Sequence, residues 1–250
     1  MQIIILCAGL GSRLGSITKD KPKCLVPING NTILGRLLKQ LEGLGIKKDL
    51  ITLCGGYKSE LLPKDYTIIQ NSEYKETNMV FTLINSIKEL KLENSLNDDL
   101  LIIYGDCMYE TIIISKTIEK INSSQNNILP IDMNWELEWS KRFEDLFEDA
   151  ETLIYNESSK KLISIGSKTR ERKDYMGQFM GLLGIKEENI NNILLTYSEL
   201  SVEKQRTIST TEFLDFSASI LNYEIIEMKH NWSEIDNKED HKLAEKKFKV

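Results

Sequence analysis

Short apolar runs alternate with longer amphipathic stretches along the first half of the chain. Apolar residues recur at helical spacing over residues 32–41 and 79–92, which predicts two helices. The continuous apolar runs predict buried strands at Ile3–Cys7, Leu50–Leu53, Thr67–Gln70 and Leu100–Tyr104. Because strands and helices alternate, the chain is predicted to be an α/β protein with a mostly parallel sheet flanked by helices on both faces.

The second half of the chain begins with a polar stretch near residues 122–127 and then continues with shorter elements. Strand-like segments follow at Ile128–Met133, Thr152–Asn156, Leu162–Ile165 and Gln178–Ile185. Helices are predicted at Glu187–Leu200, at Thr210–Leu221 and from Lys238 onward, with a strand near Glu224–Lys229. These segments are expected to continue the sheet and to add a small β-rich lobe.

The composition limits the classes of protein that this chain can be. With 250 residues, 41% of them hydrophobic, a single domain over residues 1–250 is the simplest prediction. A net charge of −6 argues against nucleic-acid binding. The apolar start is too short for a signal peptide or a membrane span, so a cytoplasmic protein without a membrane partner is expected. The four cysteines form no Cys-x-x-Cys pair, which favours reduced core thiols over zinc ligands.

The first apolar run leads into the glycine-rich segment from Ala8 to Arg13, and Pro22 and Lys23 follow. Glycines after a buried strand let backbone N–H groups approach phosphate oxygens, and fixed cations can neutralise the phosphate charge. A dinucleotide-binding motif would need a third glycine at Leu14, and a P-loop would need Gly-Lys-Ser/Thr. The segment therefore predicts a nucleotide-phosphate site of another kind.

The stretch from Leu6 to Pro27 resembles the nucleotidyltransferases that make sugar nucleotides, whose signature is Gly-x-Gly-Ser/Thr-Arg followed by Pro-Lys. The resemblance continues at Tyr104-Gly105-Asp106 and at Trp232–Asp236, so it covers most of the chain. It implies a Rossmann-like fold of the nucleotide-diphospho-sugar transferase type. It also implies two catalytic residues: Lys23 stabilises charge on the α-phosphate, and Arg13 holds the β- and γ-phosphates.

The same resemblance implies a nucleotide-binding set in the first half of the chain. The turn at Gly56-Tyr57 resembles the base-binding turn of the family. Thr77 or Asn78 is expected to cap the following helix, and the resemblance places Asn78 close to the base and the acceptor as well. The predicted nucleotide-binding residues are Leu6, Ala8, Gly9, Gly11, Ser12, Arg13, Lys23, Gly56, Tyr57, Asn78, Gly105 and Asp106.

Two aspartates are the candidate ligands of a Mg²⁺ ion. Asp106 follows a buried strand, and ligands of open α/β sheets bind beyond the carboxyl ends of the strands. Asp236 could simply end a strand before a helix capped by Asn237, but the resemblance implies that it joins Asp106 in holding Mg²⁺ against the phosphates. Carboxylate and phosphate oxygens are the ligands that such a hard cation prefers. Glu234, two residues before Asp236, is a candidate third member.

The middle of the chain resembles the branch of the family that activates phosphocholine and aminoethylphosphonate, which are cytidylyltransferases. Residues 1–125 are then the mainly nucleotide-binding half, and residues 126–250 bind the acceptor and supply the closing metal ligand. Acidic side chains could face an ammonium group and basic ones could pair with an acceptor phosphate. The candidate acceptor-binding residues are Arg142, Asp149, Glu151, Lys168 and Gln178.

The resemblance implies Mg²⁺-dependent transfer of CMP from CTP to a small phosphorylated acceptor by a monomer or small homo-oligomer. The overall likeness is to phosphoglutamine cytidylyltransferases that serve capsular phosphoramidate synthesis. The acceptor could instead be phosphocholine or aminoethylphosphonate, and a sugar-1-phosphate nucleotidyltransferase using UTP or dTTP is a further alternative. A catalytically silent nucleotide-binding regulator is the alternative from another class, against which the intact Arg13, Lys23, Asp106 and Asp236 argue.

Overall fold

The computed structural model describes residues 1–249. The strands in this part of the chain are β1 (Gln2–Cys7), β2 (Pro27–Ile28), β3 (Asn31–Thr32), β4 (Ile51–Gly55), β5 (Thr67–Gln70), β6 (Leu100–Tyr104), β7 (Cys107–Tyr109), β8 (Asn127–Asp132), β9 (Leu153–Tyr155), β10 (Leu162–Ile165), β11 (Gln178–Phe179), β12 (Leu182–Ile185), β13 (Tyr223–Met228) and β14 (Trp232–Glu234). The α-helices are α1 (Ile33–Gly43), α2 (Met79–Leu92), α3 (Thr111–Ser123), α4 (Trp135–Trp139), α5 (Ile190–Ser198), α6 (Val202–Thr207), α7 (Thr210–Leu221) and α8 (Lys238–Lys247). None of these helices is long and apolar enough to cross a membrane.

One eight-stranded sheet organises the described residues. Its strands β5, β4, β1 and β6 pair in parallel in that order. Next to β6 lies β12, which is antiparallel, and β8 pairs antiparallel with β11 and β12 and parallel with β13. The predicted α/β class with a mostly parallel sheet is confirmed.

The centre of the sheet is also the centre of the core. Strands β1 and β6 are buried almost throughout, and Ile3, Ile4 and Ile5 have no exposed surface. Burying such a side chain contributes about 1.5–3 kcal/mol each. A continuous apolar run, rather than an alternating one, is what a strand covered by helices on both faces requires. The four cysteines, Cys7, Cys24, Cys54 and Cys107, are buried free thiols.

The predicted strand Gln178–Ile185 is divided in the structure into β11 and β12. The break falls at Gly181, which has φ of +71°, and a Cβ there would lie 2.8 Å from Cγ of Tyr104. The apolar pattern continues across this break, so periodicity alone does not reveal it. The short helices α4 and α6 and the hairpin β2–β3 are also additions to the predicted elements.

Candidate active site

A short antiparallel pair, β7 with β14, joins two segments that are far apart in the sequence. The pair aligns Cys107 with Glu234, and the Ile235 N–H donates to the Asp106 carbonyl at 3.1 Å. Gly105 provides the sharp exit from β6, because its N–H donates to the Leu6 carbonyl at 2.9 Å and a Cβ would lie 2.7 Å from that oxygen. Asp106 and residues 234–236 are thereby brought together at the carboxyl end of the central strands.

Lys23 lies between the two aspartates that the sequence selects as metal ligands. Its Nζ is 2.7 Å from Oδ2 of Asp106 and 2.6 Å from Oδ1 of Asp236. Burial disfavours the charged ammonium, but the carboxylates of Asp106 and Asp236 outweigh this effect and hold the pKa of Lys23 above its usual value. The lysine is therefore a fixed cation at neutral pH.

Asp106, Glu234 and Asp236 form a carboxylate cluster in which one oxygen from each lies within 4.8 Å of the others. Burial raises the pKa of Glu234 to about 8, and the neighbouring Asp236 and Asp106 carboxylates add to the shift. Burial also opposes ionisation of Asp236, but the Lys23 ammonium outweighs it and lowers the pKa of Asp236. Three carboxylates at this spacing fit a hard divalent cation, which takes oxygen ligands.

Arg13 reaches the same cluster from the glycine loop. Its Nη2 lies 3.0 Å from Oδ1 of Asp236, while most of the side chain is exposed. The loop closes over Lys23 at Gly11, which has φ of +63° and whose added Cβ would lie 3.1 Å from Cβ of Lys23. The structure thus joins these residues through Asp236, which contacts both Arg13 and Lys23, while Lys23 also contacts Asp106.

Most of the other predicted nucleotide-binding residues lie in or beside the glycine loop and the end of β6. The Gly56-Tyr57 turn adjoins the loop, because the Tyr57 N–H donates to the Ala8 carbonyl at 3.3 Å and its hydroxyl donates to the Lys19 carbonyl at 2.6 Å. Ser12 begins the turn that carries Arg13. A small hollow of about 40 Å³ contains several of the predicted residues in its wall, namely Leu6, Ala8, Gly9, Lys23, Gly105 and Asp106.

Asn78 stands at the N-terminus of α2, but its side chain does not cap that helix. The Asn78 amide instead donates to the Thr207 carbonyl at 2.5 Å, and its backbone N–H donates to the Arg206 carbonyl at 2.9 Å. These contacts tie α2 to α6. The residue also lines a cavity of about 340 Å³ beside the carboxylate cluster.

A cavity of about 340 Å³ extends from the carboxylate cluster toward β9 and β10. Of the predicted acceptor-binding residues, Asp149, Glu151 and Gln178 line it. Burial raises the pKa of Glu151, while a hydrogen bond with Thr211 works in the opposite direction. The Gln178 amide is engaged with the backbone of Glu151, which donates to Oε1 at 3.1 Å and accepts from Nε2 at 2.5 Å. Gln178 therefore holds Glu151 in place.

Among residues 1–249, the side chains that line this cavity do not include Arg142 or Lys168. The Arg142 side chain is 5% exposed and donates through Nε to Oδ1 of Asp240 at 2.8 Å. Lys168 is exposed and donates to the Glu148 carbonyl at 2.8 Å. Both cations thus have partners within the chain, so the prediction that they meet an acceptor phosphate gains no support from their positions.

Several cavity residues were missed by the reasoning from sequence. The wall contains aromatic side chains and the hydroxyls at the start of α7: Tyr104, Trp139, Phe179, Trp232, Ser209, Thr210 and Thr211. The Tyr104 hydroxyl donates to Oγ1 of Thr210 at 2.5 Å, which links β6 to α7 across the cavity. The Ser-Thr-Thr-Glu sequence signalled a helix start, but no local pattern showed which cavity that start would face.

The site combines a glycine loop, a carboxylate cluster and fixed cations that face this cluster. Transfer of a nucleotidyl group depends on positioning and charge stabilisation rather than on a protein nucleophile, and this arrangement suits it. The chain is a nucleotidyltransferase. A family model, the MobA-like NTP transferase domain, matches residues 3–163, and the chain belongs to this family. The resemblance seen in the sequence motifs is confirmed.

Individual proteins extend this comparison along the whole chain. CTP:phosphoglutamine cytidylyltransferase from Campylobacter jejuni subsp. jejuni serotype O:2 is 30% identical over 94% of this chain and 96% of its own length. Two solved structures share the fold with a TM-score of 0.70 each. They are CTP:phosphocholine cytidylyltransferase from Streptococcus pneumoniae (20% identity, 99% of both chains) and the inositol-1-phosphate CTP transferase from T. maritima (17% identity, 100% of this chain and 97% of the other).

Proposed function

We propose that this chain transfers CMP from CTP to a small phosphorylated acceptor, with Mg²⁺ as cofactor, and releases pyrophosphate. The observation that carries the proposal is Lys23, held within 2.7 Å of both Asp106 and Asp236 beside the glycine loop. The choice of CTP is supported by the activity named for the Campylobacter relative, which matches nearly the full length of the chain. Residues 1–125 would serve mainly CTP, and residues 126–250 mainly the acceptor.

In the proposed reaction, an oxygen of the acceptor phosphate attacks the α-phosphorus of CTP in line. The bond from the α-phosphorus to the bridging oxygen breaks, and pyrophosphate leaves with that electron pair. A protein base is not needed, because the acceptor phosphate is already anionic at neutral pH. The main task of the chain is to hold two anions together. Lys23 would stabilise charge on the α-phosphate, and Arg13 would hold the β- and γ-phosphates.

The residues present fit the proposed Mg²⁺ ion. Asp106 and Asp236 would hold it, and Glu234 lies close enough to join them. When bound, the ion would offset negative charge on the phosphate oxygens.

The acceptor that we favour is phosphoglutamine, as in capsular phosphoramidate synthesis, with phosphocholine or aminoethylphosphonate as alternatives. The cavity offers Asp149 and Glu151 to an ammonium group, and its aromatic rings, among them Trp139 and Phe179, can surround a cation. The name of the Campylobacter relative supports phosphoglutamine among these choices. A site for an unsubstituted hexose phosphate would instead be dominated by neutral groups that bind hydroxyls.

The test is a pyrophosphate-release assay that combines CTP, UTP, dTTP, ATP and GTP with phosphoglutamine, phosphocholine, aminoethylphosphonate and glucose-1-phosphate. We expect the fastest release with CTP and phosphoglutamine, and mass spectrometry should identify the CDP-linked product. Fastest turnover of UTP or dTTP with glucose-1-phosphate would replace the proposal by a sugar-1-phosphate nucleotidyltransferase. Nucleotide binding without release in any combination would indicate a regulatory protein.

A further inference from the structure

Asp240, on the first turn of α8, holds the backbone that carries Asp236. Its Oδ2 accepts the N–H of Asp236 at 3.0 Å and the N–H of Asn237 at 3.2 Å. In return, the Asn237 side chain accepts the Asp240 N–H at 3.0 Å, which completes a capping box at the start of α8. The carboxylate of Asp240 thus fixes the peptide group directly attached to a candidate metal ligand.

Arg142 holds Asp240 from the opposite side. Its Nε and Nη2 donate to Oδ1 and Oδ2 of Asp240 at 2.8 and 3.2 Å, which is a two-point pairing of guanidinium with carboxylate. The guanidinium lies over the rings of Trp139 and Phe143, 5.4 and 5.1 Å from their centroids. Its Nη2 is also 3.8 Å from Oδ2 of Asp236. Packing from several sides leaves this arginine in one orientation.

Arg142 and Asp240 approach Asp236 at Oδ2 and at its backbone N–H. Lys23 and Arg13 contact the other carboxylate oxygen, Oδ1. Asp236 is therefore held by its backbone and by both carboxylate oxygens. The side chains of Arg142 and Asp240 are 5% and 2% exposed, so removal of either partner leaves a buried charge without compensation. Groups that orient metal-binding side chains in this way commonly alter metal affinity when they are changed.

We propose that Arg142 and Asp240 are positioning residues that set the orientation of Asp236 and hence the affinity of the carboxylate cluster for a divalent cation. This inference rests on the proposed function only in naming the ion as the cofactor of the reaction. It gives Arg142 a role other than contact with the acceptor. It also links the start of α8 to the assembly of the active site.

The experiment compares Arg142→Lys, Arg142→Met, Asp240→Asn and the double variant Arg142→Met/Asp240→Asn with the unaltered chain. Mn²⁺ binding without nucleotide is measured by isothermal titration calorimetry, and thermal unfolding is followed in EDTA. We expect each single variant to bind Mn²⁺ about tenfold more weakly, as for other residues that support metal ligands. The double variant should bind Mn²⁺ about as strongly as the single variant with the lower Mn²⁺ affinity, because both changes break the same ion pair. In turnover assays, the apparent Mg²⁺ requirement should rise while the KM for the acceptor stays within about twofold.

Lys186→Met is the matched control, because Lys186 donates to Asp99 in a half-buried ion pair elsewhere in the chain. It should lower stability without changing Mn²⁺ affinity. Unaltered Mn²⁺ affinity in folded Arg142→Lys and Asp240→Asn would overturn the inference, and so would a raised KM for the acceptor with unaltered Mn²⁺ affinity. If the unaltered chain turns over no nucleotide, the proposed function fails, while the Mn²⁺ titrations still decide the positioning role.

Discussion

The backbone carbonyl of Asp106 accepts a hydrogen bond from the N–H of Ile235 at 3.1 Å. This bond joins the end of a central strand to the segment that precedes the final helix. It places Asp106 beside Asp236, and the ammonium of Lys23 lies between them. The geometry of the site thus depends on a pairing between distant parts of the chain, and the charge of Lys23 is set before any ligand arrives.

Lys23→Met should lower kcat by about 10²-fold or more, because it deletes a fixed charge directed at the reacting phosphate. Turnover of CTP should be measured at saturating Mg²⁺, with circular dichroism to verify folding. Lys64→Met removes an exposed lysine that has no ion pair with the cluster and should retain full activity. Near-normal turnover in a folded Lys23→Met variant would remove this lysine from the mechanism.

Arg13→Ala should weaken CTP binding as well as turnover. The triphosphate carries its charge before the reaction begins, so an arginine that holds the β- and γ-phosphates contributes to ground-state binding. The exposed Arg13 side chain has only one ion-pair partner among the described residues, Asp236, so the fold should tolerate its loss. The KM for CTP and the dissociation constant of CTP should both rise. A lower kcat with unaltered CTP binding would instead show that Arg13 stabilises only the transition state.

Asp106→Asn and Asp236→Asn should each abolish turnover at low Mg²⁺, and higher Mg²⁺ should partly restore it. An amide oxygen is a weaker ligand than a carboxylate oxygen, so the variants need more metal to fill the same site. Rates across a Mg²⁺ titration measure this effect, with Asp49→Asn as an exposed control. Wild-type behaviour of Asp236→Asn would favour the purely structural interpretation of that residue, and turnover in EDTA would contradict the metal scheme.

The parts of the site carried by contiguous motifs could be predicted from the sequence. The glycine loop follows a buried strand directly, and the exit at Gly105 follows another, so local chemistry and the rule that ligands meet the carboxyl ends of strands place both at one edge. The sheet class could also be predicted, because continuous apolar runs in the sequence form its central strands.

The positions of isolated charged residues could not be predicted in the same way. A basic side chain offers no sign in the sequence of whether its partner is a ligand or another residue of the chain. Arg142 is paired with Asp240, which is distant in sequence and becomes its neighbour only when α8 packs beside the segment after α4. The aromatic wall of the cavity could not be predicted for the same reason, because Trp139 and Trp232 are distant in sequence and become neighbours only in the folded chain.

The pH dependence of stability should contain a measurable contribution from Asp132. Burial raises the pKa of Asp132, although hydrogen bonds from Nε1 of Trp232 at 2.9 Å and the N–H of Asn134 at 2.7 Å favour the ionised form. The pKa of Asp132 is higher in the folded than in the unfolded state. The folded state therefore loses stability as the pH rises from the unfolded-state pKa through the folded-state pKa. The loss is about 1.4 kcal/mol for each unit by which the two pKa values differ.

Asp132→Asn lacks this contribution. The free energy of unfolding of Asp132→Asn minus that of the unaltered chain should therefore increase from pH 4 to pH 7, because only the unaltered chain loses this stability. Urea unfolding of both proteins at a series of pH values measures the difference, and other titrating groups cancel in the comparison. A difference that stays constant over this range, or that moves in the opposite direction, would contradict the prediction.

Asp149→Ala should raise the KM for the acceptor far more than the KM for CTP. Asp149 lines the cavity next to the carboxylate cluster, and an ammonium group on the acceptor would lose a charged partner there. Initial rates with phosphoglutamine at saturating CTP measure the effect, and Glu157→Ala serves as an exposed control in the loop between β9 and β10. An acceptor without an amino group should bind Asp149→Ala and the unaltered chain about equally. If neither KM changes in Asp149→Ala, or if glucose-1-phosphate outcompetes every amine-bearing phosphate, the proposed acceptor class is wrong.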